Sequence, residues 1–311
     1  MKIMITGGAG FIGSHLCDEF VGKNDQVIVI TRKTTLLDRI SHLLDKITVE
    51  RADVTNYDEL GSIIEKHRPD VIIHLAGETS HSKSFENPLY DLDVNTKSTL
   101  FILEKIKQLN LKCRFILGST FIVIGKPQAL PVTEQSVCNP TTIYGANRLA
   151  SEVYCKIYHN VYGIDAVIFR ITNSFGPREQ HIPSKNAINF LIHKAFKKEE
   201  IPIFDKGNFF KDVVYVSDVV SAIKTVMEKG KSGELYWISS GNKTWFYDLG
   251  RWLEELTGAK VNYVESPQYT KKTDVGNFVV DSTKLKSLGW DIKIPVKDGI
   301  KKTLEYFTSL S

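Results

Sequence analysis

Lys2-Ile3-Met4-Ile5-Thr6 is followed at once by Gly7-Gly8-Ala9-Gly10-Phe11-Ile12-Gly13 and then by Ser14-His15-Leu16, where a helical period begins. The apolar pentapeptide reads as a buried strand and the segment after the glycines as a helix. Each glycine has its own use in that setting. Gly7 permits the tight turn, Gly10 lets the backbone approach a pyrophosphate, and Gly13 allows the helix to pack near the strand. The first N–H groups of the helix, at Phe11, Ile12 and Gly13, have no intrahelical acceptor, and the positive end of the helix dipole favours an anion there. A glycine triplet alone is weak evidence. Between a strand and a helix it marks the first unit of a dinucleotide-binding domain.

Working outward, short Ile- and Val-rich runs alternate with longer stretches of helical period. Strands are predicted at Lys2–Thr6, Gln26–Thr31, Ile47–Glu50, Asp70–Leu75, Arg114–Gly118 and Asp165–Ile171. Helices are predicted near Phe11–Gly22, Tyr57–His67, Leu89–Leu109 and Thr142–Val161. The fold class is therefore α/β, a doubly wound parallel sheet of Rossmann type with a smaller C-terminal substrate domain. The dinucleotide-binding domain is expected at 1–171, with 211–238 returning to the sheet through a strand–helix unit at Asp212–Lys229. The substrate domain takes 172–210 and 239–311.

Composition excludes several other classes. The 311 residues are 42% hydrophobic and 24% charged, with a net charge of +4, and no apolar run approaches the roughly 18 residues of a membrane helix. The start MKIMITGGAGF lacks the apolar core of a secretory signal, so a cytoplasmic location is expected. Cys17, Cys113, Cys138 and Cys155 are scattered without CxxC spacing, which argues against a disulfide framework and a metal site. The mild, unclustered positive charge gives no case for nucleic acid.

The end of the second strand bears on the cofactor. NAD-preferring proteins carry Asp or Glu there to accept hydrogen bonds from the adenosine ribose. This chain has Thr31-Arg32-Lys33, and two cations without a carboxylate suit a 2′-phosphate. NADP is favoured over NAD on this reading; the alternative is that Arg32 and Lys33 are a solvated loop. Asp53-Val54, after the third strand, either meets the adenine or is a surface turn.

With further markers the chain resembles the extended short-chain dehydrogenase/reductase family, in particular its nucleotide-sugar epimerases, dehydratases and 4-ketoreductases. The markers are TGGAGFIGSH, Asp53-Val54, His74-Leu75-Ala76-Gly77, Ser84-Phe85-Glu86-Asn87-Pro88, Asn95, Gly118-Ser119-Thr120, Tyr144-Gly145, Arg170 to Arg178, and Asp212 to Val219. They run through nearly the whole chain. The resemblance implies a nucleotide-diphosphate sugar as substrate, hydride exchange between a sugar carbon and a nicotinamide, and a cofactor wall that includes Leu75, Ala76 and Gly77. It also implies a homodimer formed through the helices near Leu89–Leu109 and Thr142–Val161.

In such chemistry a Tyr phenol passes the proton that accompanies the hydride. A free phenol has a pKa near 10 and serves as a base only where nearby cations favour the phenolate. Tyr144 is the candidate. Thr120 is the hydroxyl expected to hydrogen-bond the reacting sugar oxygen, its spacing to Val123-Ile124-Gly125 selecting it over Ser119. The family has Lys four residues after the Tyr; this chain has Arg148, which keeps the charge but changes the size and donor geometry. Family 4,6-dehydratases carry an Asp-Glu pair directly after the catalytic Thr, whereas Phe121 and Ile122 stand here. The resemblance therefore implies a 4-epimerase or a 4-ketoreductase. The competing reading is a dinucleotide-binding regulatory protein silenced by Arg148.

Substrate contacts are implied by position. Thr79, Ser80 and His81 should line the sugar pocket, His81 being otherwise a plain loop residue; Asn173 should touch the diphosphate, and Arg178 either approaches it or caps the loop. Phe204 should stack on the nucleotide base, while Lys211 and Lys271 stand where the family often has phosphate-binding Arg.

Overall fold

The computed structural model describes residues 1–23, 25–182, 186–267 and 273–310. The predicted first unit forms as β1 (Lys2–Thr6) and α1 (Phe11–Val21), followed by β2 (Gln26–Thr31), β3 (Thr48–Arg51), α2 (Tyr57–His67) and β4 (Val71–His74). Next come α3 (His81–Glu86), α4 (Pro88–Leu92), a π-helical turn at Asp93–Lys97, α5 (Ser98–Gln108), β5 (Arg114–Thr120), α6 (Ile143–Tyr162) and β6 (Ala166–Ile171). The remainder comprises β7 (Asn173–Phe175), α7 (Ala187–Phe196), β8 (Ile201–Phe204), β9 (Phe210–Lys211), β10 (Val213–Tyr215), α8 (Val216–Lys229) and β11 (Leu235–Ile238). β12 (Thr244–Trp245), α9 (Phe246–Thr257), β13 (Val261–Val264), α10 (Thr283–Lys286) and α11 (Val296–Ser309) complete the described elements.

Seven strands form one parallel sheet in the order β11-β6-β5-β4-β1-β2-β3. Its inner strands are covered on both faces, which explains why they read as near-continuous Ile/Val runs rather than alternating ones. One core contains Met4, Ile28, Ile72, Phe115 and Trp237; the opposite one contains Ile3, Val29, Ile73, Ile116 and Phe169. β1 lies between β2 and β4, and the chain winds outward in both directions from there. That switch in direction opens a crevice at the strands' carboxyl ends, the usual ligand position in such sheets.

Helix ends follow local chemistry. Asn56 caps α2 by accepting from the Glu59 N–H, with Asp58 and Glu59 in the first turn and Lys66 and His67 in the last, each charge opposing the helix dipole. Thr142 caps α6 by accepting from the Gly145 N–H at 3.0 Å, and α6 ends at Gly163 with φ of 69°, where glycine avoids the strain of a left-handed cap.

The helix predicted near Leu89–Leu109 forms as one unbroken helical run, α4, the π turn and α5, its winding widened at Asp93–Lys97. Two other expectations need correction. The strand in Asp212–Lys229 does not enter the large sheet: β10 pairs with β7 in a separate two-stranded sheet, and β11 takes the edge beside β6. A third core, including Phe175, Ile192, Ile203, Leu249 and Ile300, forms away from the large sheet. Phe278, Val280, Leu285 and Trp290, expected in the substrate domain, instead pack into the two cores of the sheet.

Candidate active site

A cleft of about 480 Å3 opens over the carboxyl ends of β1, β2, β4 and β5, within the size range of small-molecule sites. Its floor is the glycine turn. Gly7 has φ of 71°, and a Cβ at Gly13 would lie 2.4 Å from the Gly7 carbonyl oxygen and 2.7 Å from the Gly8 Cα. No side chain other than hydrogen therefore fits at Gly13. α1 begins at Gly10 with no side-chain cap and no acidic residue in its first turn. Its leading N–H groups remain available beside a backbone surface that a phosphate can approach. The residues present thus fit a dinucleotide pyrophosphate.

Where the cleft reaches the ends of β2 and β3, Thr31, Arg32, Asp53 and Val54 line it. Arg32 donates from Nη1 to the Tyr90 hydroxyl at 3.2 Å, and Arg51 holds the intervening turn by donating to the carbonyls of Arg32 at 3.0 Å and Thr35 at 2.8 Å. Asp53 is fixed by accepting from the N–H and hydroxyl of Thr55. Lys33 turns away and pairs with Glu59 at 3.2 Å.

Leu75, Ala76 and Gly77 continue the wall from the end of β4. His74, just before them, is fully buried and anchors the loop. The Ala76 N–H donates to Thr6 Oγ1 at 3.1 Å, and Thr6 Oγ1 lies 2.7 Å from His74 Nδ1. His74 Nε2 lies 3.1 Å from Ser98 Oγ, whose hydroxyl donates to the Val94 carbonyl at 2.5 Å. With the Ser98 proton so used, Nε2–H donates, and in the neutral ring Nδ1 accepts from the Thr6 hydroxyl. Burial, helped by the positive charge of Arg148, pushes the His74 pKa down to about 3.

The catalytic candidates meet in this cleft. Thr120, at the end of β5, and Tyr144 and Arg148, one turn apart on α6, all line it and are all buried. Thr120 Oγ1 accepts from the Ile122 N–H at 3.3 Å, leaving its own proton to donate. The Ser119 hydroxyl instead donates to Glu152 Oε1 at 2.5 Å, and Glu152 is held by Arg170 through contacts of 2.9 and 2.6 Å. Ser119 is thereby committed to a buried ion pair. Tyr144 stacks on His81 with ring centroids 5.7 Å apart.

Of the substrate candidates, Thr79, His81 and Asn173 line the cleft. Ser80 instead caps α3, accepting from the Lys83 N–H, and is buried. Arg178 pairs with Asp18 at 2.6 Å. Lys211 pairs with Asp274 at 2.6 Å and donates to the Gly276 carbonyl at 2.7 Å, so its charge is already used within the protein. Phe204 sits at the end of β8 opposite Val264. Lys271 lies outside the described residues. Thr35, Arg39, Tyr90, Gln180 and Asn186 also line the cleft; none belongs to a glycine turn or strand end, so local pattern gave no signal for them.

The family described as GDP-mannose 4,6 dehydratase matches residues 4–303. The chain is 32% identical to a putative UDP-glucose 4-epimerase of Methanocaldococcus jannaschii, covering 98% of this chain and 97% of that protein. It is 28% identical to the dTDP-glucose 4,6-dehydratase of Shigella flexneri, covering 99% and 92%. Among solved structures, the UDP-glucose 4-epimerase of Thermotoga maritima with UDP-glucose superposes with a TM-score of 0.92 at 30% identity, over 100% of this chain and 99% of that one. The UDP-glucuronic acid 4-epimerase of Bacillus cereus, solved with UDP-glucuronic acid and NAD, gives 0.86 at 26% identity over 100% of both chains.

Proposed function

The chain belongs to the nucleotide-sugar epimerase/dehydratase family of extended short-chain dehydrogenases/reductases, a family of enzymes, and from that premise we propose that it inverts C4 of a nucleotide-linked hexose without eliminating water.

The carrying observation is the pair of residues after Thr120. Phe121 packs edge-on against Phe278 at 5.1 Å, and Ile122 is buried in the core beneath the cleft. Elimination requires an acid for the leaving hydroxyl and a base for the adjacent carbon. Neither side chain can serve as either. The 4-epimerase names of the Methanocaldococcus and Thermotoga proteins support the same reading.

A nicotinamide dinucleotide held over the glycine turn and beside Arg32 and Arg148 would supply the hydride exchange. Tyr144 takes the proton of the 4-hydroxyl and gives it back, while Thr120 donates a hydrogen bond to the same oxygen. Arg148, the cation one helical turn from Tyr144, is buried against the same cleft. Arg32, with no carboxylate at the end of β2, supports NADP as the cofactor, with NAD the alternative.

Arg32 also favours a second reading, net reduction of a 4-keto sugar by NADPH. Cofactor stoichiometry separates the two. Supplied with UDP-glucose, an epimerase yields the 4-epimer with no net change in nicotinamide absorbance; supplied with nucleotide-linked 4-keto sugars, a reductase consumes one NADPH per sugar. Neither result with UDP-, dTDP- or GDP-sugars would refute both readings.

The same proposal includes a homodimer through α4, α5 and α6. Val153, Ile157 and Val161, at four-residue spacing on α6, are exposed, as is Leu89 of α4, an apolar row suited to burial against a second copy. Among the described residues no helix is long and apolar enough to cross a membrane, in keeping with action on dissolved nucleotide sugars.

A further inference from the structure

We infer that Gly77 and Arg148 form a matched pair, in which the absence of a side chain at 77 makes room for a guanidinium at 148. The inference rests on the reading of Arg148 as the cation beside Tyr144 at the cofactor.

Gly77 is not in the left-handed region, so its backbone does not call for glycine. Space does. A Cβ there would lie 2.6 Å from Asn95 Oδ1, 3.3 Å from Arg148 Nη2 and 3.5 Å from Arg148 Cζ. The nearest obstacle is thus Asn95 Oδ1, and the Arg148 fork, at the near limit of contact, closes the side to which that oxygen and the added carbon would have to move.

Neither neighbour can retreat without loss. Asn95 Nδ2 donates to the Glu78 carbonyl at 3.0 Å, and the Asn95 carbonyl accepts from the Ser151 hydroxyl of α6 at 2.6 Å. Thr96, next along the π turn, donates to the Asn147 carbonyl at 2.9 Å. The π turn and α6 are therefore sewn together on either side of Arg148, and a methyl at 77 cannot be absorbed by backbone movement. Arg148 itself is only 4% exposed. Its Nε and Nη1 are buried without hydrogen-bond partners, so pushing the fork deeper meets no acceptor that would compensate. The methyl must displace the guanidinium or the Asn95 amide.

A lysine side chain in place of the guanidinium reverses the argument. It lacks the planar Cζ–Nη2 group that reaches Gly77, and the vacated space leaves room for a methyl and for the unpartnered Asn95 oxygen to swing. Arg148→Lys alone leaves a void beside the cofactor wall. With Gly77→Ala added, the Asn95 oxygen displaced by the methyl can move into that space.

The test is a double-mutant cycle on the full chain, read by fluorescence titration with NADPH and NADH, with turnover and circular dichroism alongside. Gly77→Ala and Arg148→Lys are each expected to weaken dinucleotide binding about tenfold, and the double variant to bind within about threefold of wild type, a coupling within the range seen for residues in contact. Should Gly77→Ala fail to fold, the comparison of Arg148→Lys with the double variant carries the test: the added methyl must tighten binding at least about threefold. Equal or weaker binding by the double variant overturns the pairing. A wild type that binds neither dinucleotide overturns the underlying reading of the site instead, and is recognised before any variant is made.

Discussion

The His81 imidazole lies nearly parallel to the Tyr144 phenol, with centroids 5.7 Å apart and planes 21° apart. Burial lowers the His81 pKa, although Asp274 and Asp91 oppose the shift. A neutral ring therefore backs the phenol as a packing surface. His81→Phe preserves that surface and should retain kcat within about threefold, with an unchanged profile between about pH 6.5 and 8. His81→Ala should lower kcat about tenfold by loosening Tyr144, while dinucleotide affinity stays the same. A change in the pH profile of His81→Phe would show that His81 itself exchanges protons.

Thr120 has two partners to lose, the Ile122 N–H that it caps and the sugar oxygen. Thr120→Ser should keep turnover within about tenfold, and Thr120→Val should lower kcat about 10²-fold. Tyr144→Phe, which removes the proton carrier, should lose about 10³-fold while still binding dinucleotide. Steady-state rates beside binding titrations check all three.

Arg32 should set the cofactor preference. Arg32→Glu replaces a donor to phosphate with a ribose acceptor, so NADPH affinity should fall about 10- to 100-fold and NADH affinity should rise. Parallel titrations decide it, and an unchanged ratio would assign Arg32 to its contact with Tyr90.

His74 makes stability depend on pH. Its folded pKa, about 3, lies below the unfolded value of about 6.5, so the unfolded chain takes up protons first as pH falls. The contribution is intact above pH ~6.5 and should be reduced by about 2 kcal/mol at pH ~5. Asp212, whose carboxyl burial pushes up to about 6, acts in the opposite sense, since the folded state protonates first. Comparing His74→Asn with wild type in urea at both pH values cancels the Asp212 effect. The variant should be less stable at pH 7.5 and show the smaller loss on acidification; parallel slopes would contradict the account.

Legibility in the sequence followed the range of the determining interaction. β1, the glycine turn and α1 were legible because one turn and one helix start require those residues locally. Thr120, Tyr144 and Arg148 came from the family resemblance, with spacing selecting Thr120 over Ser119, and the structure brings all three to one cleft. The π turn at Asp93–Lys97 was hidden because its wider winding leaves the apolar pattern of a continuous helix almost intact. β10 looked like a sheet strand, but its partner β7 forms only after the chain leaves β6, while Leu235–Ile238, buried throughout, takes the edge. Lys211 was read as a phosphate ligand because nothing nearby in sequence reveals Asp274, 63 residues away. Arg39 lines the cleft from a 3-10 turn at Asp38–Leu43, its Nε donating to the Arg178 carbonyl 139 residues on.

The central claim is hydride exchange at C4 without loss of water, and the structure of the product tests it most directly. Nuclear magnetic resonance of the sugar, after incubation with UDP-, dTDP- and GDP-hexoses and added dinucleotide, should show a 4-epimer that retains its C6 hydroxyl. A 4-keto sugar bearing a C6 methyl group would contradict the account and place the acid and base of elimination elsewhere in the cleft.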